Sequence, residues 1–293
     1  MKIKAHSTNQ RRSKSSDICN AAKQGDSDRL TMLIDNGADV NDGTNDDHAT
    51  PLHLASKYGR VECVRKLIDA GADVNLLNKS TDSALTLAVN IGNSEILEML
   101  LLAGANLKHV KDNGDSALTM AATSGSRKCI ELLLTNGADV NQFDKDKDTP
   151  LALAAGFGHF DCMELLIESG AGVNFVNNNN DSPLTWAAGC GKSQCVEVLI
   201  KAGADVNHLN NDLDSPLTIA AKKGDKTSVE LLMANGGIVD HANQDNDSPL
   251  TLAAMFGHLD CMQLLVDRGA NVNHLNNDNV KSWLSTMCSI TYQ

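Results

Sequence analysis

One hexapeptide appears seven times in this chain at a fixed interval. TPLHLA, starting at Thr50, recurs as SALTLA from Ser83, SALTMA from Ser116, TPLALA from Thr149, SPLTWA from Ser182, SPLTIA from Ser215 and SPLTLA from Ser248, each step being 33 residues. Two glycine series keep the same register, one running from Gly59 to Gly257 and one from Gly71 to Gly269. A unit of that size is one supersecondary element that cannot bury its own apolar face, so stacked neighbours must supply the core. The ordinary expectation of one or two globular domains for 293 residues therefore gives way to an array.

Residues 50–82 show what one unit contains. Thr50 is a good N-cap and Pro51 a good first helical residue, because the hydroxyl accepts an orphan N–H while proline has none to leave unpaired. All five prolines, Pro51, Pro150, Pro183, Pro216 and Pro249, occupy this slot. The pattern predicts a short helix ending near Gly59 and a second over 61–70, with Cys63, Val64, Leu67 and Ile68 on one face. Gly71 supplies the left-handed residue that ends it. The Asn- and Asp-rich segment that follows reads as a turn or hairpin projecting sideways. Ala55, Ala88, Ala121, Ala154, Ala187, Ala220 and Ala253 keep the first helix thin enough for close stacking. With aromatics at only 3% of the chain, such a core is built from Leu, Ala, Val and Ile.

TPLHLA at this period, with GADVN at Gly37, Gly71 and Gly137, resembles the ankyrin-repeat family. The resemblance implies an all-α repeat solenoid, an ankyrin array of helix–turn–helix units with protruding hairpin fingers, whose fingers and first helices line a concave side. It implies a non-enzymatic protein-binding scaffold or adaptor. About eight repeats are expected over 17–280, at 17–49, 50–82, 83–115, 116–148, 149–181, 182–214, 215–247 and 248–280. Residues 1–16 read as a basic disordered tail, and 281–293, with Trp283 and Leu284, as an incomplete terminal repeat or C-cap. Asp26, Asp28 and Arg29 give the first repeat the polar face of a terminal cap.

In ankyrin proteins the residue before the TPLH-like cap and the two before the first-helix glycine face the ligand. Here the first position holds Asp82, Asp115, Asp148, Asp181, Asp214 and Asp247, and the second set includes Tyr58, Phe157 and Phe256. Each aspartate alone reads as a solvated turn residue, but six in register sum to an acidic stripe beside apolar anchors. Asp146, Asp212, Asp245 and Asp278 deepen the negative tips. The expected partner is a protein with a basic surface or segment. The glycine that family fingers carry two residues before the cap survives only at Gly114, so Lys147 and Leu213 predict a locally altered finger.

Charge supports that sign. The chain carries −12 overall, and because the tail holds Lys2, Lys4, Arg11, Arg12 and Lys14, the rest has 20 basic against 37 acidic residues. Such a surface repels phosphates and anionic lipid, so neither nucleic acid nor membrane is expected as partner, and the chain is expected to act as a monomer. Apolar runs end well short of the ~18 residues a span needs.

Other chemistry falls away on spacing. Gly191-Lys192-Ser193 has Trp186 where a phosphate loop needs its first glycine. Asp144, Asp146 and Asp148 lack a calcium loop's sharp-turn glycine, Thr149 standing there, and its closing acid, Ala155 standing there. Cys63, Cys129, Cys162, Cys195 and Cys261 share one apolar slot and read as buried thiols, which points to the cytoplasm or nucleus. His208, His241 and His274 repeat too far apart for a shared metal. No nucleophile is flagged beside a base and an orienting acid, so no enzyme, metal or cofactor is expected. The alternative to an adaptor is the ankyrin targeting part, or a truncated product, of a larger multidomain protein.

Overall fold

The computed structural model describes residues 15–43 and 47–278. Calls on the basic tail up to residue 14 and on 281–293, including Trp283 and Leu284, lie outside the described residues. The described residues form two compact units, which divide between Lys145 and Asp146.

The first unit holds α1 (15–24), α2 (Ser27–Asp35), α3 (Pro51–Lys57), α4 (Val61–Asp69), α5 (Ala84–Asn90), α6 (Ser94–Leu102), α7 (Ala117–Ser124) and α8 (Arg127–Thr135). The second holds α9 (Pro150–Phe157), α10 (Phe160–Glu168), α11 (Pro183–Gly189), α12 (Ser193–Lys201), α13 (Pro216–Lys223), α14 (Lys226–Ala234), α15 (Pro249–Met255) and α16 (Leu259–Asp267). Within each unit successive helices pair as hairpins, and first helices stack on first helices: α3 on α5 on α7, and α9 on α11 on α13 on α15.

Each first helix is started by its cap. Thr50, Ser83, Ser116, Thr149, Ser182, Ser215 and Ser248 accept the N–H three residues on. The second helices end alike. Gly71 turns left-handed at φ 82°, and the N–H groups of Gly71 and Ala72 reach back to Ile68 and Leu67. The stacked faces are made by Ala55, Ala88 and Ala121 in one unit and Ala154, Ala187, Ala220 and Ala253 in the other, all fully buried. Any larger side chain there would force the backbones apart.

The fingers form only isolated bridges among the described residues, such as Leu77 with Ser83. At the start of the array, α1 already includes residues 15 and 16, ahead of the boundary at 17, and the Ser15 hydroxyl donates to the Gly43 carbonyl at 3.2 Å. Asp26 caps α2, and Arg29 pairs with Asp17.

Candidate functional site

Each finger is a tight five-residue loop whose first residue does most of the holding. In 210–214 the Asn210 side-chain carbonyl accepts the N–H groups of Asp212 and Asp214, at 3.0 and 2.9 Å. The Asp214 carbonyl takes the Asn210 N–H, and the Leu213 N–H returns to the Asn210 carbonyl. Asn78, Asn177 and Asn243 act likewise. Four bonds per asparagine-led loop hold the residue before the aspartate left-handed even when it is not glycine: Thr81, Asn180, Leu213 and Asn246 lie at φ 57–59°, and Lys147 keeps the same conformation at φ 62°. The altered finger expected at Lys147 and Leu213 is therefore corrected: both keep the left-handed conformation of the other fingers, and at Leu213 the local network outweighs the ~1–2 kcal/mol that a left-handed L-residue costs. Where Lys111 replaces the asparagine, the left-handed position is Gly114, and a Cβ there would strike the Lys145 backbone nitrogen.

The same asparagines knit one finger to the next. The Nδ2 groups of Asn177, Asn210, Asn243 and Asn276 donate to Asp148, Asp181, Asp214 and Asp247 at 2.8–3.0 Å. In the first unit Asn78 reaches Asp47 at 3.5 Å, Lys111 forms an ion pair with Asp82 at 2.7 Å, and Asp115 is met by Asn113 of its own finger. The six aspartates expected to form a ligand-facing acidic stripe are half-buried or, at Asp247, buried, and each is a structural acceptor. Burial pushes the Asp214 carboxyl above its usual range, opposed chiefly by the Asn243 hydrogen bond.

The histidine row is a second lacing. His208, His241 and His274 each donate from Nε2, at 2.7 Å, to the carbonyl of the left-handed residue one finger back: Asn180, Leu213 and Asn246. His109 does the same to Thr81, a link the sequence reading did not single out. Among the described residues no three His, Cys, Asp or Glu side chains gather as a metal site would require, and no helix is long and apolar enough to cross a membrane.

The aromatic positions lie elsewhere, at the C-terminal ends of the first helices, and two of the three lie beneath a lysine ammonium. Tyr58 is 41% exposed beneath the Lys23 ammonium, 5.3 Å from its ring centre, and Phe256 is 52% exposed beneath that of Lys222 at 5.9 Å. Phe157 stacks on His159 and Phe256 on His258. The structure therefore separates the two sets of candidate residues: the aspartates belong to the fingers, the aromatics to the turns.

The five in-register cysteines are buried. Loss of water raises the thiol pKa at Cys63 and Cys129, and takes Cys195 and Cys261 to about 11. Cys19, buried near Asp42, is pushed up to about 12. Such thiols are poor nucleophiles at neutral pH.

Comparison with known proteins agrees with this architecture. A family model described as "Ankyrin repeats (3 copies)" matches residues 67–144, 118–210 and 203–276, and one described as "Ankyrin repeats (many copies)" matches 33–88. The human protein "Ankyrin repeat and SOCS box protein 6" is 41% identical over 59 residues, 20% of this chain and 14% of that protein. The "Putative ankyrin repeat protein YahD" of Escherichia coli strain K12 is 46% identical over 56 residues, 19% of this chain and 27% of that one. The matched segments thus span a minor part of either relative. The crystal structure of the human ASB11 ankyrin repeat domain superposes with a TM-score of 0.69 at 30% identity, covering 74% of this chain and 97% of that one. With the repeat frame, the finger geometry and the matched residues in agreement, this chain belongs to the ankyrin-repeat family.

Proposed function

We propose that the chain is a scaffold whose fingers bind a basic segment of a protein partner in a reducing compartment, the cytoplasm or nucleus. Ankyrin repeats are protein-binding modules, and their fold is generally non-enzymatic. The observation that carries the finer reading is the row of fingertip carboxylates Asp212, Asp245 and Asp278, exposed and one repeat apart. The inner row, Asp82, Asp115, Asp148, Asp181, Asp214 and Asp247, adds field rather than direct contact, because its oxygens already hold the fingers together. Tyr58, Phe157 and Phe256 are the apolar anchors of the turn side. Seven described cysteines without a disulfide support the compartment.

Capture from lysate with mass spectrometry identifies partners, and the variant Asp212→Lys/Asp245→Lys/Asp278→Lys tests the face. Folding survives, since exposed substitutions typically cost under ~0.5 kcal/mol. Affinity for a basic partner falls by about tenfold or more at low salt, mainly through slower association, and the salt dependence shrinks. Equal binding by parent and variant at low and high salt removes the fingers as the binding face.

A further inference from the structure

The most exposed large apolar side chain described, Leu102, stands at the end of α6, 83% exposed. The same slot of the other second helices from α4 to α16 holds Asp69, Thr135, Glu168, Lys201, Ala234 and Asp267, so stacking does not require a leucine there. Beside it the C-terminal halves of α4 and α6, which pack on each other, leave a groove of about 280 Å³ lined by Arg65, Ile68, Asp69, Met99, Leu102 and Ala103. Ile68 and Met99 are half-buried and join Leu102 as its apolar wall. A leucine exposed singly is ordinary, but one that borders an apolar groove marks a binding surface. This groove belongs to the second helices and shares no residue with the fingers or with the turns that carry Tyr58, Phe157 and Phe256.

The rim of the groove is negative. Arg65, the cation of the lining, is taken up by Glu62 at 3.5 Å and Glu95 at 3.8 Å. The exposed carboxylates of Asp69 and of Glu98, one turn before Leu102, form no hydrogen bond or ion pair among the described residues. Asp69 is also the last residue of α4, at the negative end of the helix dipole, so it opposes the helix rather than capping it. A cation brought in from outside would relieve that carboxylate.

We propose that this groove docks an amphipathic helical segment of a partner protein in which a large apolar side chain is followed one turn later by arginine or lysine. The apolar group covers Ile68, Met99 and Leu102, and the cation meets Asp69 at the carbonyl end of α4. Packed helices lie ~8–10 Å apart, a span that two side chains one turn apart on the partner's helix can bridge. The proposal goes beyond the finger reading and uses none of its residues, so each can fail alone.

The test titrates the full chain with labelled helical peptides and reads fluorescence anisotropy together with the methyl NMR shifts of Ile68, Met99 and Leu102. The chain carries Asp212→Lys/Asp245→Lys/Asp278→Lys throughout, so that a basic peptide finds no acidic fingertips. A peptide with leucine at i and arginine at i+4 is expected to bind and to shift those methyls. Serine in place of the leucine, or glutamate in place of the arginine, weakens it by about tenfold. Leu102→Lys and Asp69→Thr put into the slot the residues that α12 and α8 carry there, so the fold is kept, and each weakens the leucine–arginine peptide by a similar factor. Asp69→Thr also removes the preference for arginine over glutamate. Failure of that peptide to bind, shifts confined to other methyls, or undiminished binding by Leu102→Lys overturns the proposal. Self-association of the chain that Leu102→Lys abolishes would give the groove to a second copy and overturn it equally.

Discussion

The two units share a repeat but not its bonding. In the second, all four first helices open on proline, at Pro150, Pro183, Pro216 and Pro249, and the same asparagine-to-aspartate link, at 2.8–3.0 Å, recurs between every consecutive pair of fingers beside the histidine lacing. In the first, only α3 opens on proline, while α5 and α7 begin with Ala84 and Ala117. Its finger links are improvised: a long Asn78–Asp47 contact, the Lys111–Asp82 ion pair, and Asn113 turned onto its own Asp115. A repeat therefore stacks with or without the asparagine-to-aspartate link, and the two units differ in how regularly their fingers are tied. The second unit is expected to be the more resistant one, with hydrogen exchange slower over α11–α14 than over α5–α8.

Breaking the lattice should have the largest effect. Replacing Asp148, Asp181 and Asp214 together by lysine removes three hydrogen bonds to carboxylates, each worth about 1.5–3 kcal/mol, and leaves the amides of Asn177, Asn210 and Asn243 facing ammonium groups. Urea denaturation should show a loss of several kcal/mol, with the second unit now exchanging faster than the first. An unchanged midpoint would mean that these bonds are replaced by water at no cost. Lys111→Asn is the converse change, giving the first unit the second unit's link.

A smaller change should bring the units together from the other side. Ser83 and Ser116 have the same extended conformation as the caps that precede proline, and the slot already accepts a buried Pro51. Ala84→Pro and Ala117→Pro should each stabilise the first unit by about 0.4–1 kcal/mol, chiefly by restricting the unfolded chain. A lower melting temperature would show that the ring does not fit beneath α5 or α7.

How much of this could be read in advance follows from where each interaction closes. Caps, helix-ending glycines and the buried cysteine face close within one repeat, so Thr50, Gly71 and Cys195 announce themselves by local pattern. The finger lattice closes between repeats, Asn210 with Asp181 and His241 with Leu213, 29 and 28 residues apart. Viewed singly, Asp181 is a turn residue and His241 a surface histidine. The signal was present in pairs: Asn177, Asn210, Asn243 and Asn276 recur in the aspartates' own frame. Leu213 misled for the same reason, since backbone propensity counts the cost of a left-handed leucine but not the bonds that outweigh it. Tyr58 and Phe256, expected to face a ligand, are exposed, and their lysine neighbours come from the adjacent repeat or helix end.

The subtlest difference between the units concerns pH. At the third helical position Thr86, Thr119, Thr185, Thr218 and Thr251 stand where α3 alone has His53. Its Nδ1 accepts the Thr50 N–H at 3.1 Å, and its Nε2 donates to the Asp82 carbonyl at 3.1 Å, so the neutral ring is fully used and closes both the cap and the contact with the next finger. Burial pushes its pKa below 6.5, against the pull of the Asp82 carbonyl. Because the folded value lies below the unfolded one, the unfolded chain binds more protons in between. The stability this ring contributes is complete above the unfolded pKa and is lost as pH falls towards the folded value. Protonation also sets a ring N–H against the Thr50 N–H. Asp214 in the second unit is shifted the other way, so acid relieves the cost of burying its charge once pH falls through its raised pKa. Lowering pH from about 7 to about 5, across the range in which histidine titrates, should therefore speed hydrogen exchange in α3 relative to α13, and His53→Thr should erase the difference. A pH response that persists in His53→Thr would assign the acid sensitivity of the first unit to some other group.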